Sequence, residues 1–295
     1  MITKRQFDIL VFIAEYDGKP TQREIAQGTN MSLGTINKQI ANLESEGFIS
    51  KGVITEKGLV LLEQFKVKRA IFIAAGFGSR LVPITLNTPK PLVRVKGKRI
   101  IDSLIDAVLA QGIEEIYIVR GYLGEQFDQL LYKYPMIKFI ENPVFNESNN
   151  ISSMYCARYL LKNAYVLEGD LLLYNPDIIK KYHYSSQFLG VPVEKTDDWC
   201  FYTEGNKITN VSVGGVNCHH MYGISYWTEA DGAKLAKDIE EVYFSPGGKE
   251  RYWDMVPLEY KKENYNIRVQ ECTFEDIIEI DTFKELKALD KSYDI

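Results

Sequence analysis

The chain has 295 residues, 45% of them hydrophobic and 25% charged, with a formal net charge of -5. Such a composition belongs to folded soluble proteins, is long enough for a sizeable core, and at about 100 to 200 residues per domain predicts a medium domain with a small companion. Mild acidity argues against broad nucleic-acid binding. Cys156, Cys200, Cys218 and Cys272 form no C-x-x-C pair, and the three histidines have no metal-ligand spacing, so neither a zinc knuckle nor a redox motif is indicated. Asp8 and Glu15 interrupt the apolar N-terminal stretch and no cleavage site follows it, so the expectation is a cytoplasmic protein without membrane contact.

The first 66 residues read as a separate small domain. Ile9, Leu10, Phe12 and Ile13 give the helix at 3–15 an apolar face, and GKPT breaks it. In TQREIAQGTNMSLGTINKQIANLESEGFI, Thr21 caps one helix, Thr29 and Asn30 turn the chain, and Ser32 caps a second helix. FISKGVI reads as a short β-ribbon and TEKGLVLLEQF as a closing helix. This pattern resembles the winged helix-turn-helix domains of bacterial regulators of the MarR type. The resemblance implies DNA as a partner, but the second helix pairs Asn37, Lys38 and Gln39 with Glu44 and Glu46, and readers of duplex DNA normally carry excess Lys and Arg there. Support for DNA is therefore weak, and a homodimer contact or docking to the larger domain competes with it.

From residue 67 to 295 strands and helices alternate, predicting an α/β, Rossmann-like, mostly parallel sheet covered on both faces. The elements are a strand at IFIAA, a helix at 100–111, a strand in IEEIYIVRGY, a helix through Leu131, a strand at MIKFIEN, a helix at about 152–161, and a fourth strand, AYVLEGDLLL, ending at Asp170. Residues 185–227 read as antiparallel strands turning at SVGG. Helices near 228–240 and 250–260 follow, then a last strand and helix in IIEIDTFKELKAL. In open parallel sheets ligands bind beyond the carboxyl ends of strands, where Gly76 and Asp170 both fall.

The most specific segment is KRAIFIAAGFGSRLVPITLNTPKPL at 68–92. Gly76 and Gly78 let the backbone fold tightly and turn its N–H groups toward bound oxygens. Arg80 offers a planar fork for two phosphate oxygens and Lys90 a compact charge. A Walker A loop would place the lysine directly after the glycine, and a dinucleotide fingerprint would need a third glycine; neither is present. Ala74, Ala75, Gly76, Gly78, Ser79, Arg80, Pro83, Thr85, Pro89, Lys90, Pro91 and Leu92 resemble the entry motif of the sugar-phosphate and choline-phosphate nucleotidylyltransferases. NESNNISSMYCARYL, TDDWCFY, HMYGISYWT and RYWDMVP further resemble stretches of the bacterial CTP:phosphocholine cytidylyltransferases, so the likeness runs through nearly all of 68–295.

The resemblance implies Mg2+-dependent transfer of a cytidylyl group from CTP to phosphocholine, giving CDP-choline and pyrophosphate. Arg80, Lys90 and Asp170 are the implied catalytic residues. Ala74, Ala75, Gly76, Gly78, Ser79, Arg80, Asn149 and Asn150 would hold the nucleotide, and Tyr122, at another strand end, would border the base. Asp170 and Asp281 are the implied metal ligands, with Glu279 and Asp254 in reserve; Asp281 also reads as a helix N-cap. For the acceptor, Trp199, Tyr222, Tyr226 and Trp253 would face a quaternary ammonium and Asp254 would attract it. Asp197, Asp198 and Asp254 keep phosphoethanolamine and 2-aminoethylphosphonate open as smaller cationic acceptors. The same residues are compatible with a sugar-1-phosphate nucleotidylyltransferase or with a transcription regulator that senses a nucleotide.

Overall fold

The computed structural model describes residues 2–294 and divides the chain into two compact units, Met1–Lys66 with Tyr182–Tyr184, and Val67–Lys181 with Ser185–Ile295. The first begins with α1 (Lys4–Glu15), started by a reciprocal capping box between Thr3 and Gln6, and α2 (Gln22–Thr29), started likewise by Thr21 and Glu24. Asn30 ends α2 in the left-handed region at φ 52°, and Ser32 caps α3 (Leu33–Ser45). A ribbon of β1 (Ile49–Ser50) and β2 (Val53–Ile54) leads to α4 (Glu56–Leu62). Phe7, Ile9, Leu10, Ile25, Ile36, Leu43 and Leu62 fill the core of this winged helix-turn-helix. Apolar residues at helical spacing on all four helices point to one center, which is why so short a unit can close.

The second unit is an α/β layer structure. Its early elements are β3 (Arg69–Ile73), a small hairpin of β4 (Arg94–Val95) and β5 (Lys98–Arg99), α5 (Ile100–Ala110), β6 (Glu115–Arg120), β7 (Lys138–Glu141), α6 (Ile151–Ala157), β8 (Ala164–Glu168) and β9 (Leu171–Leu173). Then come β10 (Gln187–Glu204), β11 (Lys207–Trp227), α7 (Glu229–Phe244), β12 (Arg268–Glu271), β13 (Ile277–Glu279) and α8 (Phe283–Leu289). The seven-stranded sheet runs β10-β12-β11-β8-β3-β6-β7, with β8, β3, β6 and β7 parallel and β11 antiparallel to β8. One apolar layer, with Ile105, Phe127 and Tyr165, covers one face of the sheet; another, with Met154, Ile239 and Trp253, covers the other.

Four local expectations change. The helix through Leu131 is a 3-10 helix, Gly124–Tyr132, entered from Leu123 at φ 47°. AYVLEGDLLL is two strands, because the turn at Gly169 and Asp170 lifts β9 out of the main sheet to pair with β13. The hairpin turns between Glu204 and Lys207, whereas SVGG lies inside β11 beside bulged pairings. The helix near 250–260 is a 3-10 turn, Gly248–Glu250, and a π-helical turn, Val256–Tyr260. β12, unseen in the sequence, is only four residues long and pairs parallel to β10.

α7 packs where only glycine fits. A Cβ at Gly232 would lie 2.2 Å from the Leu161 carbonyl oxygen, a backbone atom that cannot swing away. In a helix interior Gly→Ala ordinarily gains up to about 1 kcal/mol. Here Gly232→Ala is expected to destabilize the protein by roughly 1 to 3 kcal/mol through overpacking, read as a lower midpoint in urea; an unchanged or higher midpoint would contradict this contact.

Candidate active site

β3 delivers the chain to the carboxyl edge of the sheet, where Ala74–Gly78 turns sharply. Gly78 sits at φ 62°, and a Cβ there would lie 3.0 Å from both Lys90 Cβ and Thr85 Cγ2, so glycine satisfies backbone and packing together. Thr85 Oγ1 donates to the Gly78 carbonyl at 2.8 Å. Short 3-10 turns at Ser79–Leu81, Ile84–Leu86 and Lys90–Leu92 fold the intervening residues back on the loop. Arg80 and Lys90 therefore reach the same cleft, Arg80 with its side chain 66% exposed and Lys90 with only 9% exposed.

The opposing acids are brought together by the small β9–β13 sheet. Leu171 pairs with Glu279, and Ile280 N–H donates to the Asp170 carbonyl at 3.4 Å, so Asp170 and Asp281 become neighbors although far apart in sequence. Lys90 Nζ donates to Asp170 Oδ2 at 2.7 Å and to Asp281 Oδ1 at 2.8 Å, while Arg80 Nη1 lies 2.7 Å from Asp281 Oδ2. The helix N-cap is Thr282 rather than Asp281, in a capping box with Glu285, which leaves the Asp281 carboxylate to the cleft. Burial works against the Lys90 charge, but attraction and hydrogen bonds from the two aspartates outweigh it and raise its pKa. Burial likewise opposes the Asp281 charge, yet Lys90 and Arg80 hold its carboxyl below the usual range.

Asp170, Glu279 and Asp281 each offer an oxygen, all within 4.8 Å of one another, and Asp170 Oδ1 is buried with no hydrogen-bond partner. Three hard oxygen donors, one of them unsatisfied, fit a divalent cation. Glu279 joins this group because Glu279 and Asp281 flank one residue at the end of β13. Burial, then repulsion from Asp170, Glu168 and Asp281, pushes the Glu279 carboxyl far above its usual range; Glu168 is raised by burial and by Asp170 and Asp254. A cation would reverse this crowding.

The cleft encloses about 570 Å³. Of the residues singled out in the sequence it gathers Ala74, Gly76, Gly78, Ser79, Arg80, Lys90, Asn150, Asp170, Asp198, Trp199, Asp254, Glu279 and Asp281, together with Glu168, Met221, Gly223 and Tyr252. Seven expected residues do not line it, among them Asp197, whose side chain is almost fully exposed. Ala75 is buried and its carbonyl accepts from Tyr122 N–H; Tyr122 donates its hydroxyl to Thr85 O at 2.8 Å, bracing the loop. Asn149 is tied to Lys249 O and Glu250 O. Tyr222 donates to Ile277 O and Tyr226 to Asn163 Oδ1, both within the core. Trp253 packs against Phe188 and Trp227 with ring centroids 6.1 and 6.3 Å away. Strand alternation carried the needed signal: Met221 and Gly223 face the cleft, so Tyr222 and Tyr226 face away. Tyr252, 46% exposed beside buried Trp253, is the aromatic that reaches the cleft from this segment.

Asp254 illustrates the electrostatic strain. Burial raises its carboxyl to about 6 from 3.8, partly offset by hydrogen bonds from backbone N–H groups. Because the folded value is the higher one, the native state is favored at low pH and loses this contribution as pH rises through about 6, a difference of about 3 kcal/mol. Asp254→Asn is therefore expected to raise the denaturation midpoint at pH 8 and to change it little at pH 4; a variant equally stabilized at both would disprove the assignment.

Residues 69–195 match the family described as nucleotidyl transferase, and residues 2–50 match winged helix-turn-helix DNA-binding. The 2-aminoethylphosphonate cytidylyltransferase of Lancefieldella rimae is 34% identical over 232 residues, covering 76% of this chain and 92% of its own. The choline-phosphate cytidylyltransferase of Streptococcus pneumoniae is 32% identical over 224 residues, covering 76% and 97%. A solved structure of CTP:phosphocholine cytidylyltransferase from Streptococcus pneumoniae aligns with a TM-score of 0.71 at 31% identity, over 76% of this chain and 98% of that one. Identity at this level over three quarters of the length, with loop cations and acids meeting in one cleft, means that the chain belongs to the bacterial cytidylyltransferases of the nucleotidyl transferase family.

Proposed function

We propose that the protein transfers the cytidylyl group of CTP to phosphocholine, with Mg2+ as the metal, forming CDP-choline and pyrophosphate. The observation that carries this reading is an aromatic pair, Trp199 and Tyr252, edge to face at 6.1 Å and lining the same cleft as Arg80 and Lys90. Two rings with acids nearby suit a quaternary ammonium, which gains about 0.5 to 2 kcal/mol over an aromatic face depending on its desolvation. A primary ammonium such as that of 2-aminoethylphosphonate is the second reading, favored by Asp198 and Asp254 in the same lining and by the Lancefieldella rimae relative.

An oxygen of the acceptor's phosphate forms a bond to the α-phosphorus of CTP as the bond to the bridging oxygen breaks, and pyrophosphate leaves. The attacking oxygen is already ionized at neutral pH, so no protein base is required. Arg80 and the loop N–H groups between Gly76 and Arg80 hold the departing pyrophosphate, and buried Lys90 offsets charge gathering at the α-phosphoryl oxygens. Asp170, Asp281 and Glu279 would hold Mg2+, which supplies positive charge to the phosphate oxygens when bound. DNA is outside this reading, since the exposed side of α3 carries Glu44 along with Asn37 and Lys38.

Pyrophosphate release should require CTP and phosphocholine, vanish with EDTA and return with Mg2+. A preference for dTTP with a hexose phosphate would refute the reading, and a strong preference for 2-aminoethylphosphonate would select the second. Lys90→Met and Asp170→Asn should each lower kcat by about a hundredfold or more; near-normal turnover in either would remove that residue from the chemistry.

A further inference from the structure

We infer that Tyr122 is a positioning residue for the nucleotide's phosphates: through Thr85 it holds Arg80 in its place at the cleft. This rests on the cytidylyl transfer argued above, in which Arg80 grips the departing pyrophosphate. Arg80 stands on a strap, residues 79–89, that leaves the glycine loop and returns to the cleft at Lys90. From Gly76 to Thr88 only Leu81 and Thr85 are buried, whereas Phe77, Val82 and Leu86 are exposed. Apolar burial therefore does little to fix the strap, and its shape falls to individual hydrogen bonds.

Those bonds converge on Thr85. Its side chain donates to the Gly78 carbonyl at 2.8 Å, and its own carbonyl accepts the Tyr122 hydroxyl at 2.8 Å. The same hydroxyl lies 3.3 Å from Leu86 O, and Gln126 Nε2 donates to Asn87 O at 2.8 Å. The carbonyls of Thr85, Leu86 and Asn87 thus all end on side chains from the segment that follows β6. Tyr122 is fixed in turn. Its N–H donates to Ala75 O, and its ring lies 5.2 Å from Phe77, which lies 5.3 Å from Phe145. The Phe145 ring fills the space of a Cβ on Gly121, 2.6 Å away, so the turn carrying Tyr122 is seated as well. Arg80 lies two residues beyond Gly78, its side chain 66% exposed, with Asp281 as its one ion-pair partner among the described residues. A guanidinium fork grips two phosphate oxygens in one orientation only, so a small drift of its backbone weakens the grip. Tyr122 itself does not line the cleft, and its effect reaches the nucleotide through the strap.

The test measures the dissociation constant of CTP with Mg2+ by calorimetry, with no acceptor present. Tyr122→Phe removes one hydroxyl and keeps the ring against Phe77; it should weaken CTP binding by about three- to tenfold, the scale of one uncharged hydrogen bond. Gln126→Ala should move the affinity in the same direction. In an Arg80→Ala background, Tyr122→Phe should change the affinity by less than about twofold, because the group it positions is gone. A merely structural loss would reduce the amount of folded protein without changing the affinity of what remains. An unchanged affinity in Tyr122→Phe, or an equal loss with and without Arg80, would overturn the role of Tyr122 while leaving the proposed reaction standing. Wild-type protein that fails to bind CTP would instead bring down the reaction itself.

Discussion

The arrangement of the larger unit converges on one ammonium group. Lys90 Nζ bridges Asp170 and Asp281, which come from opposite strands of a small sheet, and the lysine itself comes from the end of the phosphate loop. A cation with a side chain only 9% exposed persists because both carboxylates repay its desolvation. Removing either acid would take away one of the two carboxylates that offset the burial of Lys90, so the loop, the turn after β8 and the end of β13 are mutually constrained. That interdependence also positions the site for reaction. The same lysine lines the cleft beside Arg80 and the glycine loop.

Much of this was legible in the residue order. The glycine-rich loop, Arg80, Lys90 and Asp170 stand in a single contiguous pattern or at a strand end, where local geometry decides the outcome. Asp281 was recoverable because an acid directly follows a short, mostly apolar strand, and Glu279 in that strand joins the same cluster. What the residue order hides depends on direction rather than identity. Trp253 and Tyr252 are adjacent, and only tertiary packing against Phe188 and Trp227 decides which of the two is buried. Tyr222 and Tyr226 illustrate the opposite error, since the period of the strand would have sent them to the core had their neighbors Met221 and Gly223 been weighed. Likewise, the break after Glu168 is invisible in LEGDLLL, whose apolar run continues across a turn.

Glu168 is hard to single out for a related reason: next to Asp170 it reads as a second acid at a strand end. Its side chain lies against Gly223 on another strand, and no local rule links the two. The acid-rich lining is electrostatically uncomfortable without ligands, and Glu279, pushed above the usual carboxylate range by burial and by repulsion from Asp170, Glu168 and Asp281, records that discomfort. Active sites commonly hold such strain because substrate and metal relieve it.

The β9–β13 clip ties assembly to synthesis. Glu279 and Asp281 lie beyond every strand of the main sheet, so a chain cut before Ile277 would keep those strands yet lack two of the three carboxylates in the acidic triad. A chain cut there would thus lack most of the acidic cluster that faces the loop cations.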